Sequence, residues 1–173
     1  VEKTISFLFL VPSAMLSSIS AISAQNAGAG KHGRARMTLR YGISLSVSFG
    51  LLAALVCQFF SVPLLGLFSE DPEVIRLGGQ YLRSYVFDCA AAGIHFCFSG
   101  YFCAYGKSFL SFLHNLASIL LIRIPGAYLA SVCFPDTLYP MGLAAPAGSA
   151  LSALICIALY LALRRQFGGV DGD

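Results

Sequence analysis

Five long apolar runs alternate with short polar stretches along this chain. They lie at about 4–24, 41–68, 77–105, 109–134 and 138–163. A helix needs ~20 apolar residues to cross a ~30 Å hydrocarbon core, and every run meets that length. Open strands would leave backbone groups unpaired at that depth, and barrel strands are ~10-residue segments of strict alternation, which these runs are not. The pattern predicts an all-α polytopic membrane protein of about five transmembrane helices. Residues 1–167 form one membrane unit, and 168–173 form a polar tail.

The polar stretches test this reading. The first gathers Lys31, Arg34, Arg36 and Arg40. The second, Ser69-Glu70-Asp71-Pro72-Glu73, is acidic. The third holds Lys107, the fourth holds Asp136 and no base, and the tail starts with Arg164 and Arg165. Basic and non-basic connectors alternate, as five spans require. By the positive-inside rule the N-terminus of the chain is expected outside and the C-terminus in the cytoplasm. Lys31, Arg34, Arg36 and Arg40 set that topology. Asp71-Pro72-Glu73 also reads as a helix start, with Asp71 as cap, Pro72 in the first position and Glu73 at the positive end of the helix dipole.

Composition agrees. Of 173 residues, 57% are hydrophobic and 11% charged, and the mean hydropathy is +0.77. Soluble domains carry about 25% charge. The net charge of +3 forms no basic face, so a nucleic-acid partner is not expected; the lipid bilayer is. The six cysteines fall inside apolar runs without a CxxC pair and read as small hydrophobes. No metal site is expected. The first run lacks the basic flank and cleavage site of a signal peptide. A chain that opens on Val1, almost inside an apolar segment, reads as a piece of a longer protein.

A charge at membrane depth costs roughly 2.5–3.5 kcal/mol on insertion scales. Asp88 in the third run and Arg123 in the fourth are the clear cases. Asp88 lies 19 residues before Lys107 and Arg123 lies 16 after it. At ~1.5 Å per residue their depths differ by about 4–5 Å, so adjacent antiparallel helices would let them meet. Two readings stay open: a structural ion pair, or a carboxylate at Asp88 that binds a cation or proton. His95, two turns from Asp88, is a packing residue or extends a proton path. His114 and Asn115 read as interfacial. Tyr81, Tyr85, Tyr101 and Tyr105 recur at helical spacing and either line a cavity for aromatic cations or pack. Pro12, Pro63, Pro125 and Pro146 predict kinks or bending points.

Gly28-Ala29-Gly30-Lys31 suggests a phosphate loop, but His32 follows the lysine, Gln25 stands where a glycine is needed, and the preceding segment is helical. No paired carboxylates, zinc-protease motif or nucleophile elbow is present, so no enzyme is expected.

Several segments together resemble the multidrug and toxic compound extrusion family. Gln25-Asn26-Ala27-Gly28-Ala29-Gly30-Lys31 with Arg34-Ala35 is similar to that family's QNxGAGK..RA motif. Phe68 to Ile75 leading into Tyr81-Leu82-Arg83, Gly100 to Gly106, Ile122-Arg123-Ile124-Pro125 with Tyr128, and Gly142 to Pro146 follow in the family's order. The resemblance implies helices eight to twelve of a twelve-helix fold, with the N-terminal lobe missing from this chain. It implies a transporter of the cell (plasma or inner) membrane that exports small organic cations or drugs in exchange for protons or sodium, without a cofactor. It also implies that Asp88, on the tenth helix, is the coupling candidate, with Arg123, His95 and Tyr85 as supporting or cavity residues. A related flippase for lipid-linked glycans and a non-transporting membrane subunit are the alternative readings.

Overall fold

The computed structural model describes residues 2–67, 70–134, 137–164 and 167. Among these residues the chain is helical and without strands. Phe68, Ser69, Asp136, Arg165 and the tail 168–173 lie outside them, so the expectations placed on those residues are not addressed by the fold. Four stretches are long and apolar enough to cross a membrane, and a bent helix pair makes five.

The first run comprises α1 (Glu2–Leu8) and α2 (Leu10–Gly28), which meet at Phe9. The break is chemical. Pro12 has no N–H to bond the Leu8 carbonyl, and its ring crowds that carbonyl. Helix α2 ends in a tight turn. The Lys31 N–H reaches the Asn26 carbonyl at 2.8 Å, the Gly30 N–H reaches Ala27 at 3.0 Å, and Gly30 takes φ +72°. That is a Schellman cap, for which glycine carries the smallest steric penalty. The glycines that suggest a phosphate loop therefore terminate a helix.

Helix α3 (His32–Gly66) begins nine residues earlier than the expected 41. This corrects the reading of Arg34, Arg36 and Arg40 as loop residues. They ride on the first turns of α3, and only Lys31 stays in the connector. Arg, Ala, Met and Leu are all strong helix formers, so nothing in 34–39 resists a helix beyond Thr38. At ~1.5 Å per residue α3 is about 52 Å long, well beyond a ~30 Å core.

Helix α4 (Pro72–Tyr85) starts as its sequence predicts: Asp71 Oδ1 accepts from the Glu73 N–H at 2.9 Å, with Pro72 first. Arg76 donates to both Glu73 oxygens, at 2.7 and 3.1 Å. These bonds, with the guanidinium charge adding to them, hold the Glu73 carboxyl below its ordinary value. The hydropathy pattern predicts the third run as one span, 77–105. Instead α4 and α5 (Phe87–Ala104) meet at Val86 with a bend of 42°. The wholly buried Ser84 turns its hydroxyl back to the carbonyls of Gln80 (3.3 Å) and Tyr81 (3.0 Å), a pattern that bends helices. The Cys89 N–H then bonds three residues back, to Val86, at 3.0 Å. Helix α5 ends in a second Schellman cap, with Gly106 at φ +70°, Lys107 N–H to Phe102 at 2.8 Å and Gly106 N–H to Cys103 at 3.0 Å.

The fourth run is also interrupted. Helix α6 (Ser108–Ser118) passes into a π turn (Ile119–Arg123) and then α7 (Ile124–Cys133). Pro125 cannot bond the Leu121 carbonyl, which lies inside that wider turn. Pro63 and Pro146 sit within α3 and α8 (Tyr139–Leu163) without interrupting either.

Helix α5 is the centre of the bundle, packed by α2, α3 and α8. Close approach to α3 depends on small residues: a Cβ on Gly93 would meet Ser46 Cβ at 2.7 Å. The two Gly-Lys turns lie at one end, where His32 Nδ1 and the Tyr105 hydroxyl are 3.0 Å apart. There Phe167 is buried among Tyr101, Phe102, Tyr105 and Tyr160, and Lys107 stands 5.2 Å over its ring. The outward faces are apolar, with Phe59, Phe109, Tyr128 and Leu154 all largely exposed.

Candidate functional site

Asp88 stands midway between Pro72 and Ala104 along the bent pair, in the first turn of α5. Its side chain is wholly buried, and Oδ2 accepts from Arg123 Nη2 at 3.2 Å. The structure therefore brings together the two charges whose depths match in sequence. Neither sits on a regular helix interior. Asp88 follows the break at Val86, and Arg123 ends the π turn. The break leaves Asp88 beside the positive end of the α5 dipole, which attracts a carboxylate.

Arg123 is shared. The same Nη2 donates to Ser149 Oγ at 2.7 Å, so Arg123 ties α5 to α8. Gly148 makes room for this crossing: a Cβ there would meet Arg123 Cγ at 2.6 Å and Ser118 Oγ at 2.9 Å. Ser118 in turn donates to the Gly148 carbonyl at 2.6 Å, which fixes α6 to α8 at this level. Ser149 Oγ lies 3.4 Å from His95 Nε2. His95 thus joins the cluster through Ser149, not through direct contact with Asp88.

His114 corrects the sequence reading. It is not interfacial but wholly buried, with Ser99 Oγ 2.9 Å from Nε2 and Ser152 Oγ 2.5 Å from Nδ1. Its ring centroid is 5.6 Å from that of His95. His114, Ser118, Ser149 and Ser152 are the members of the site that sequence reasoning missed. The available signal was the spacing on α8, where Ser149 and Ser152 are a turn apart on the face turned toward α5 and α6. Two buried atoms of the cluster are left without a hydrogen-bond partner: Asp88 Oδ1 and His95 Nδ1.

The tyrosines divide. Tyr81 and Tyr85 stack with centroids 5.3 Å apart and line a cavity of about 700 Å³ with Ile5, Val74, Leu77 and Met141. Tyr101 and Tyr105 lie at the far end against Phe167, so the four do not share one cavity. Tyr85 lies near both the cavity and the Asp88 charge. Lys31, Arg34, Arg36 and Arg40 gather at the Gly-Lys end with Lys107 and Arg164, away from the acidic Glu70-Asp71 end. Of the cysteines, Cys57, Cys89, Cys97 and Cys156 are buried, Cys103 is half-buried and Cys133 is exposed; all are free thiols. Among the described residues no three His, Cys, Asp or Glu side chains form a metal-holding group.

The family model described as MatE matches residues 1–129. The FAD transporter of Shewanella oneidensis is 34% identical over 161 residues, covering 92% of this chain and 34% of that protein. The probable multidrug resistance protein NorM of Bacillus subtilis is 28% identical over 100 residues, 56% of this chain and 22% of its own. A crystal structure of a mutant of the Vibrio cholerae MATE transporter VcmN superposes with a TM-score of 0.82 at 23% identity. It covers 91% of this chain and 36% of that one. The chain spans about a third of the length of the FAD transporter and of VcmN.

Proposed function

Since the chain belongs to the MatE family, we propose that it forms helices eight to twelve, in the C-terminal lobe, of a cation-coupled exporter of small organic molecules. It is an all-α, multi-pass membrane protein of a transporter family. The observation that carries the coupling is the wholly buried Asp88 carboxylate, held by Arg123 at a helix break midway along its span. Intramembrane carboxylates of this kind mark ion and proton sites. Binding of a proton or sodium at Asp88 would release Arg123 and change how α5 meets the π turn and α8. That gives the two arrangements an alternating transporter requires.

For cargo, the stacked Tyr81 and Tyr85 suit a planar aromatic cation, drawn to the ring faces. A second reading, export of a flavin dinucleotide, is favoured by the relative named FAD transporter. The same tyrosines would stack on a flavin ring. The test uses the full-length protein that contains this chain, in vesicles with an imposed proton or sodium gradient. Gradient-driven efflux of a cationic aromatic dye supports the first reading, and efflux of FAD the second. Asp88→Asn is expected to abolish the dependence on the gradient. Undiminished coupled export by that variant would remove Asp88 from the mechanism.

A further inference from the structure

Asp88, His95, Ser99 and Cys103 fall on one face of α5, the face turned to α6 and α8. They span about 22 Å of helix, most of a ~30 Å core. Partners from the neighbouring helices complete a polar seam. At the Gly106-Lys107 end, Ser111 is half-buried, donates to the Ser99 carbonyl at 3.2 Å and lies 3.8 Å from the Cys103 thiol. Deeper, His114 takes a hydroxyl on each ring nitrogen, Ser99 on one and Ser152 on the other. His95 follows, with Nε2 against Ser149 and Nδ1 buried and unpartnered. Ser149 shares one guanidinium nitrogen of Arg123 with Asp88, whose Oδ1 is likewise unpartnered.

We propose that this seam is a proton route from the Lys107 end of the bundle to the Asp88 carboxylate, with His114 and His95 as its relay residues. The inference rests on reading Asp88 as the coupling carboxylate.

The chemistry of each position suits the role. An imidazole bonded at both nitrogens takes a proton at one and gives up another at the other, returning as the alternate tautomer. A hydroxyl relays in the same way, accepting one proton as it donates its own. With ring centroids 5.6 Å apart, turning His95 brings a nitrogen towards His114 or back towards Ser149. The final transfer goes from the Ser149 hydroxyl to Asp88, not through Arg123, because a guanidinium does not give up its proton. One proton taken up at the Ser99 hydroxyl, the first group bonded to His114, thus leaves a neutral Asp88 acid and every relay group in its starting charge state. The other titratable groups around the seam are Tyr85 on α4, Cys89 and Cys97 on α5, Arg123 on the π turn and Cys156 on α8; α3 presents Ser46 to Cys97 at 3.4 Å. Arg123 is the fixed positive charge at the inner end, paired with Asp88.

The experiment follows protonation of Asp88, not transport. The full-length protein that contains this chain is placed in lipid nanodiscs, and the infrared band of the protonated Asp88 carboxyl, assigned by its loss in Asp88→Asn, is recorded after a rapid pH drop. His114→Gln keeps a donor and an acceptor for Ser99 and Ser152 but cannot relay through a ring. We expect it to slow the rise of the band by at least about tenfold, with His95→Gln doing the same. Circular dichroism should show the helix content of both unchanged. Ser152→Ala, which removes one partner of His114, should slow it as well. Unchanged rates in both glutamine variants, or no band that Asp88→Asn removes, would overturn the route. If the full-length protein exports nothing under a gradient while the band still depends on His114, the route stands and the transport reading falls.

Discussion

Asp88 is 0% exposed, while 34% of the Arg123 side chain remains accessible, so the two partners do not bear equal risk. Removing Arg123 strands a buried carboxylate; removing Asp88 leaves a cation that can still reach Ser149 or the surface. Breaking a buried pair from one side costs about 3–5 kcal/mol, whereas replacing both members by apolar residues is often neutral. Arg123→Leu is therefore expected to lower stability by about that amount, Asp88→Leu by less, and the double substitution to recover most of the loss. Detergent-titrated unfolding of the four proteins measures this. A double variant no more stable than Arg123→Leu would show that the pair does not balance charge. If the stable double variant also lacks coupled export, stability and coupling are separable at this pair. The depth match of Asp88 and Arg123 was legible because a hairpin around Lys107 needs only residue counts. His114 was not, because counting seven residues from Lys107 gives depth but not facing. Only the packing of α6 on α8 buries it between Ser99 and Ser152.

At the scale of elements, the interruptions matter more than the spans. Five apolar runs give five crossings whether or not each helix is regular, so hydropathy is blind to the bend at Val86 and the π turn at Ile119–Arg123. Pro125 was visible as a kink site. What the sequence could not say is that its missing N–H is absorbed as a π turn, which adds a residue and rotates Arg123 about the axis. Pro125→Leu restores the N–H for Leu121. If the turn reverts to α, Arg123 shifts by one residue of register, about 100° around the helix, and faces away from Asp88. The expected result is loss of the Asp88–Arg123 coupling energy in the same double-mutant cycle on the Pro125→Leu background. Undiminished coupling would mean that α8 contacts, Ser118 to Gly148 above all, hold the turn without the proline. The Gly-Lys turns make a parallel case. Gly30 and Gly106 sit at φ +72° and +70°, so Gly106→Ala should cost about 1–2 kcal/mol. Gly28→Ala, at a helical position with open space around it, should cost nothing comparable. Thermal unfolding of the two variants beside the parent chain separates these outcomes.

For the whole molecule, the charges divide between the two ends. Both Gly-Lys turns, the bases on the start of α3 and Arg164 collect at one end, and Glu70, Asp71 and Glu73 at the other. The alternation was readable from sequence even though three of the bases ride on a helix, because the rule counts charges near span ends, not loops. A fold of this size also leaves broad apolar faces uncovered, and the solved relative is about two and a half times as long. Lipid can cover apolar residues, but a cargo pathway needs walls on both sides, and one bundle supplies one wall. Two measurements follow from this on a background with Cys103 and Cys133 replaced by serine. A cysteine at Glu70 should react with an impermeant thiol reagent in intact cells, and one at Lys107 only after the membrane is opened. The reverse pattern would invert the topology and place the polar seam's mouth outside. In vesicles, this 173-residue chain without the rest of its lobes should give no gradient-driven efflux of a cationic dye or of FAD. Efflux by the chain alone, at a rate that Asp88→Asn abolishes, would mean that copies of it assemble into a complete pathway.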